Sequence, residues 1–224
     1  GIEELENSNV DGIVVIAPRS ASTDEPLRVS ARVPLVFREC NDNENYSLVD
    51  LDQRLAAAKA VDMLTALGHR QIAHVAGPED WLVAERRREG WLMALKKVEA
   101  MPAGEARGDW SPDSGYRATK ALLTNGSTFT ALFCANDAMA FGALQALREA
   151  GLEVPGAVSV LGFDNTAESA YAMPPLTTVA QDFDEVGREL IEQLLRHVDG
   201  EAARVRKVML TAELIERGST AAIR

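Results

Sequence analysis

Phe133-Cys134-Ala135-Asn136-Asp137-Ala138-Met139-Ala140-Phe141-Gly142 joins an apolar strand to a helix through a polar corner. An apolar strand, Thr130-Ala131-Leu132-Phe133-Cys134, runs into the polar pair Asn136-Asp137, and a helix of small residues starts at once. In a parallel α/β sheet such a junction lies at the carboxyl end of a strand, where ligands bind. Asn136 offers both a donor and an acceptor. Asp137 is placed to cap the orphan N–H groups of the helix. The same strand–polar–helix pattern returns at Val158-Ser159-Val160-Leu161-Gly162-Phe163-Asp164-Asn165. Two such junctions predict a small polar ligand held at strand ends.

Outward from these junctions, strands and helices alternate. Ile13-Val14-Val15-Ile16-Ala17 is a nearly continuous β-branched run, the kind that suits a strand buried on both faces. Pro34-Leu35-Val36-Phe37 and Tyr46-Ser47-Leu48-Val49 read as two further strands. A helix capped by Asp50 or Asp52 runs through Leu67 and stops at Gly68. Gln71–Ala76 is a strand ending at Gly77-Pro78. Helices follow over Val83–Val98 and Tyr116–Leu123. Beyond the second junction come a short strand at Thr177-Thr178-Val179, a long helix over Phe183–His197 and a closing β segment over Val205–Leu214. This order predicts an α/β fold with mostly parallel sheets.

Composition narrows the functional classes. The 224 residues are 46% hydrophobic and 25% charged, ordinary values for a chain that buries a sizeable core. A net charge of −11 repels phosphate backbones and anionic membrane surfaces, so this stretch is a poor nucleic-acid binder by itself. No apolar run reaches the length of a membrane span. Cys40 and Cys134 form no metal or disulfide framework, and His69, His74 and His197 are scattered. No cofactor motif is present: Gly77-Pro78 lacks the spacing of a phosphate-binding loop. Asp109, Asp113, Asp137, Asp164 and Asp182 have no accompanying nucleophile and base, which argues against an enzyme.

Leu67-Gly68-His69-Arg70-Gln71-Ile72-Ala73-His74-Val75-Ala76-Gly77-Pro78, Ala135–Leu144, Val160–Asn165, Pro174-Pro175-Leu176-Thr177-Thr178-Val179, Gln181-Asp182-Phe183 and Arg217-Gly218-Ser219-Thr220 follow one another along the chain. Together they resemble the lactose repressor-type (LacI/GalR) family of bacterial transcriptional regulators. The resemblance implies a periplasmic-binding-protein-like core of two Rossmann-like lobes joined by three crossovers. It places the amino-terminal lobe at residues 1–50 plus 183–210 and the carboxyl-terminal lobe at 51–180 plus 211–224. A sugar effector would lie in the cleft, a homodimer would form, and operator DNA would be read by a headpiece. Nothing in this chain matches that headpiece or the start of the first lobe, so a fragment of a longer chain is expected. Ala138–Ala150 and the loop Ala167–Pro175 would lie near a homodimer interface, or serve packing within one lobe.

The same resemblance nominates effector contacts. Arg87 occupies the clamping arginine position, Asn136 and Asp164 the two hydroxyl-binding strand ends, and Trp110 the aromatic stacking position. Gln181 and Phe183 fall at a hinge facing the cleft, and Glu39 adds a carboxylate from the other lobe. Planar polar groups suit paired hydrogen bonds to adjacent hydroxyls, and an aromatic face suits a sugar's C–H patch. Tryptophan in Gly108-Asp109-Trp110 resembles the galactoside-responsive members more than the purine-responsive ones. Each residue has a plainer reading: Arg87 as a solvated helix residue, Asn136 as a cap, Asp164 as a turn residue, Trp110 as a surface aromatic, Phe183 as hinge packing. The expected role is the effector-sensing core of a cytoplasmic repressor. The rival is an exported sugar-binding protein of a transporter or chemoreceptor.

Overall fold

The computed structural model describes residues 2–17, 32–40, 46–200 and 205–223. The chain divides into two compact units. The first comprises Gly1–Asp52, Asp80–Leu82 and Asp182–Thr211, and the second comprises Gln53–Glu79, Val83–Gln181 and Ala212–Arg224. No helix among the described residues is long and apolar enough to cross a membrane.

In chain order the elements are α1 (Ile2–Asn7), β1 (Ile13–Ile16), β2 (Leu35–Arg38), β3 (Ser47–Leu51), α2 (Gln53–Ala66), β4 (Ile72–Ala76) and α3 (Leu82–Lys97). There follow β5 (Glu105–Arg107), α4 (Pro112–Thr124), β6 (Ala131–Cys134), α5 (Asp137–Glu149) and β7 (Ser159–Asp164). A 3-10 turn at Ala167–Tyr171, β8 (Thr177–Ala180), α6 (Phe183–Val198), β9 (Lys207–Leu210) and β10 (Glu213–Ile215) complete it.

The first unit is a four-stranded parallel sheet in the order β1-β2-β3-β9. Val36 and Val49 from the sheet pack on Val186 and Leu190 of α6, with Val14, Leu194, Val208 and Leu210 around them. Apolar residues four apart on α6, Val186, Leu190 and Leu194, make that stripe. Asp182 caps the helix by accepting the Glu185 N–H at 2.8 Å.

The second unit carries six strands in the order β10-β8-β7-β6-β4-β5, parallel except for β10 against β8. Its central strands are buried on both faces, as their largely apolar runs require, with His74 the polar exception in β4. Trp91 is fully buried on α3, and Leu132, Cys134, Val160 and Met139 share another part of the core. α4 and α5 approach closely because glycine stands at the crossing. A Cβ on Gly142 would fall 1.9 Å from the Pro112 carbonyl oxygen. The small-residue face of α5, read above as either a dimer surface or internal packing, is therefore used at this crossing inside the unit. Tyr171 and Met173 of the following loop stand exposed.

Several local expectations are corrected. The closing β segment is two strands in different sheets, β9 and β10, on either side of the boundary between the units. α4 starts at Pro112, before Tyr116, because Ser111 caps it and proline suits its first turn. β5 was not expected: its three residues, Glu105-Ala106-Arg107, show no apolar run. The second junction leads into a 3-10 turn rather than a helix. Asp137 does not cap α5. Asn136 does, accepting the Met139 N–H at 2.8 Å.

Two of the sequence motifs are tied together at the tail. His69 is buried and its ring nitrogens meet Thr130 Oγ1 at 2.9 Å and the Ala221 carbonyl at 3.0 Å. Ser219 donates to the Val160 carbonyl at 2.6 Å and accepts the Thr177 N–H at 2.8 Å. The tail thus closes over β7 and β8 by satisfying buried backbone groups that would otherwise be costly.

Candidate functional site

The carboxyl ends of β6, β7 and β8 deliver Asn136, Asp164 and Gln181 on one edge of the second unit's sheet. α3 supplies Arg87, which is buried at 4% exposure. The first turn of α2 supplies Gln53, buried at 1%. These side chains close a ring. Arg87 donates from Nε to Gln53 Oε1 at 2.9 Å. Gln53 Nε2 donates to Gln181 Oε1 at 3.2 Å. Gln181 Nε2 donates to Asp164 Oδ1 at 2.7 Å. Arg87 Nη2 completes the circuit 3.4 Å from the same carboxylate oxygen.

The guanidinium is further held by donating from Nη1 to the Ala135 carbonyl. It lies over the Phe163 ring, 3.8 Å from the centroid. Burying a charge is tolerable only with a partner and satisfied donors, and Arg87 has both. Its bland reading as a solvated helix residue is excluded by this burial.

Trp110 takes a positive φ of 74° and lays its indole against Gly77, where a Cβ would sit 2.4 Å from the ring. Gly77 therefore makes room for the tryptophan rather than turning a phosphate loop. The Arg87 guanidinium lies 5.8 Å from the Trp110 ring centroid. Asn136 Nδ2 donates to the Trp110 carbonyl at 3.1 Å, so both ends of its amide engage the protein. Asn136 is thus a cap and a tie.

Five of the nominated residues stand in this unit: Arg87, Trp110, Asn136, Asp164 and Gln181. Glu39 and Phe183 stand in the first unit. Glu39 follows β2 with φ 54°, and its carboxylate lies 3.4 Å from Arg38 Nε. Phe183 opens α6 half-exposed, with the Arg38 guanidinium 5.5 Å from its ring centroid.

Sequence reading missed Gln53 and Arg38. Gln53 sits beside Asp52 and Arg54, so it looks like one more polar residue of a helix start. Only its spacing from the strand before it, a single residue past Asp52, hints that it faces the strand ends. The role of Asp137 was also missed. Its carboxylate accepts from Thr178 Oγ1 and Ser169 Oγ, each at 2.6 Å, and from the Thr166 N–H at 2.9 Å. Burial pushes its pKa above the ordinary carboxylate value, against the pull of those hydrogen bonds.

An arrangement of one guanidinium, one carboxylate and two carboxamides can grip vicinal hydroxyls, each group donating or accepting in a plane. Among the described residues no group of three or more His, Cys, Asp or Glu could hold a metal ion.

Residues 61–220 match the family of periplasmic binding protein-like domains. The lactose operon repressor of Escherichia coli (strain K12) is 34% identical over 224 residues, covering 99% of this chain and 61% of the repressor. A crystal structure of the lac repressor dimer bound to operator and the anti-inducer ONPF superposes with a TM-score of 0.88 at 33% identity, over 99% of this chain and 77% of that one. The transcriptional regulator CelR in complex with cellobiose superposes with a TM-score of 0.88 at 32% identity, over 97% and 68% respectively. The fold is that of a periplasmic-binding-protein-like domain. The chain belongs to the lactose repressor-type (LacI/GalR) family of transcriptional regulators. It spans about three fifths of the length of the lactose operon repressor.

Proposed function

We propose that this chain is the effector-sensing core of a transcriptional repressor, working in the cytoplasm as part of a homodimer on operator DNA. The effector is a sugar, with a galactoside as the first candidate. The ring of Gln53, Arg87, Asp164 and Gln181 carries the reading: four planar polar side chains with complementary donors and acceptors at the carboxyl ends of parallel strands. A solved relative holds cellobiose, and another is a dimer on operator with a small anti-inducer, which supports both halves of the proposal.

Arg87 and Asp164 grip hydroxyls, Trp110 offers its indole face, and Asn136 and Gln181 orient the rim. No bond of the sugar is broken; binding alone is the output. The effector favours one conformation of the chain over another by its difference in affinity for the two. Operator DNA then weakens or strengthens effector binding by the same factor that the effector applies to operator binding. The headpieces of the whole dimer would read half-sites about one helical turn apart.

Isothermal calorimetry of the intact protein with lactose, galactose, ribose and cellobiose tests the proposal. Saturable binding of one sugar, lost in Arg87→Ala, supports it. Turnover of the sugar, or binding that survives Arg87→Ala unchanged, contradicts it.

A further inference from the structure

Asp164 and Asn165 are two successive non-glycine residues with left-handed backbone, φ 112° and 56°. Such a pair persists only where its surroundings over-determine it. Side chains from three other segments of the chain hold it. Arg217 Nη2 donates to Asn165 Oδ1 at 2.8 Å. The Asn165 N–H points to Thr178 Oγ1 at 3.3 Å, and that hydroxyl in turn donates to Asp137 Oδ1. The next N–H, on Thr166, donates to Asp137 Oδ2, which also accepts from Ser169. One carboxylate thus holds the residues that follow Asp164 by three donors from two segments of chain. Gly162 leaves room for it: a Cβ there would lie 2.3 Å from Asp137 Oδ1.

Asp137 is completely buried, so it cannot itself touch a solute. We propose that Asp137 is a positioning residue for effector binding, locking the strained Asp164-Asn165 turn so that the Asp164 carboxylate meets Arg87 and Gln181. The inference rests on the effector reading above. It separates two acidic residues that the sequence presents alike: Asp164 contacts the ligand, and Asp137 sets the aim of Asp164. Thr178 is the relay between them.

The test is a double-mutant cycle on the intact protein, using whichever of lactose, galactose, ribose and cellobiose binds the wild type. Asp137→Asn replaces one accepting oxygen with a donor that faces donors, and the expected loss of affinity is about tenfold. In an Asp164→Asn background the same change produces no further loss. Thr178→Val, a near-isosteric change that keeps the fold if Asp137→Asn does not, weakens binding, and Thr178→Ser restores it. Equal fold-losses in both Asp164 backgrounds overturn the proposal, since they show general destabilisation. A ligand-free arm reads Arg87 guanidinium proton exchange by nitrogen-15 NMR. Asp137→Asn or Thr178→Val speeds it as Asp164→Asn does, with no added effect in the double variant; an unchanged rate overturns the proposal. If no sugar binds the wild type, the effector reading fails, and the exchange arm alone decides the positioning role.

Discussion

Arg87 Nη2 stands 3.4 Å from Asp164 Oδ1, yet the pair is not left to hold itself. Gln53, Gln181, the Ala135 carbonyl and the Phe163 ring fix it from four sides. Removing the cation takes the charged partner from a partly buried carboxylate, which keeps its hydrogen bond from Gln181, and leaves the Gln53 amide oxygen without its donor. Arg87→Met therefore lowers stability by about 2 kcal/mol, a figure reduced from the fully buried case because Asp164 is partly exposed. Urea denaturation reads it as a lower midpoint.

Gln53→Leu cuts the ring at its other side. The side chain keeps its volume but loses one accepted and one donated hydrogen bond, orphaning Arg87 Nε–H. The expected cost is about 1–3 kcal/mol of stability. Sugar affinity falls with it, although Gln53 is the most buried of the four ring members. Calorimetry and denaturation of the one variant measure both.

Helix crossing sets a third expectation. Gly142→Ala drives a Cβ into the Pro112 carbonyl and forces α4 from α5, at a cost of about 1–3 kcal/mol. The chain still binds its ligand, weakened through Asn136 at the start of the same helix. Thermal unfolding shows the loss, and an unshifted transition rejects the crossing.

Acid lowers stability through His74. Burial holds its pKa down to about 4, while its hydrogen bond to the Phe133 carbonyl pulls the other way. Between pH 6.5 and 4 the unfolded chain takes a proton that the folded chain refuses. His74 thus contributes fully above 6.5, and its contribution falls by about 1.4 kcal/mol per pH unit on acidification towards 4. His69, also lowered by burial, adds in the same sense. Asp137 acts oppositely, since its raised pKa favours the folded state as pH falls. Comparing His74→Phe with wild type isolates the first effect: the variant loses close to one proton from the pH slope.

Much of this architecture is readable from short-range chemistry. β4 and β6 are apolar runs ended by polar or glycine residues, and a parallel sheet buried on both faces writes that pattern directly. Asn136 and Asp164 could be nominated because each ends such a run. Gln53 and Asp137 could not be given their roles. What makes Gln53 part of the ring is a meeting with residues 34 and 128 positions away, which no local pattern encodes. Asp137 carries the ordinary signature of a helix start, and only the packing of Thr178 and Ser169 over it makes it a buried anchor. β5 escaped notice because a three-residue strand holding Glu105 and Arg107 relies on pairing with β4 rather than on its own apolar character.

Thermal unfolding of the intact protein against lactose, galactose, ribose, cellobiose and nucleobases, repeated with Asp164→Asn, decides whether a sugar binds through Asp164. Ligand at a hundred times its dissociation constant stabilises the fold by about 2.7 kcal/mol. The unfolding temperature rises with one sugar and does not rise in the variant. A shift produced by a nucleobase and by no sugar, or a sugar shift undiminished in Asp164→Asn, contradicts sugar binding through Asp164.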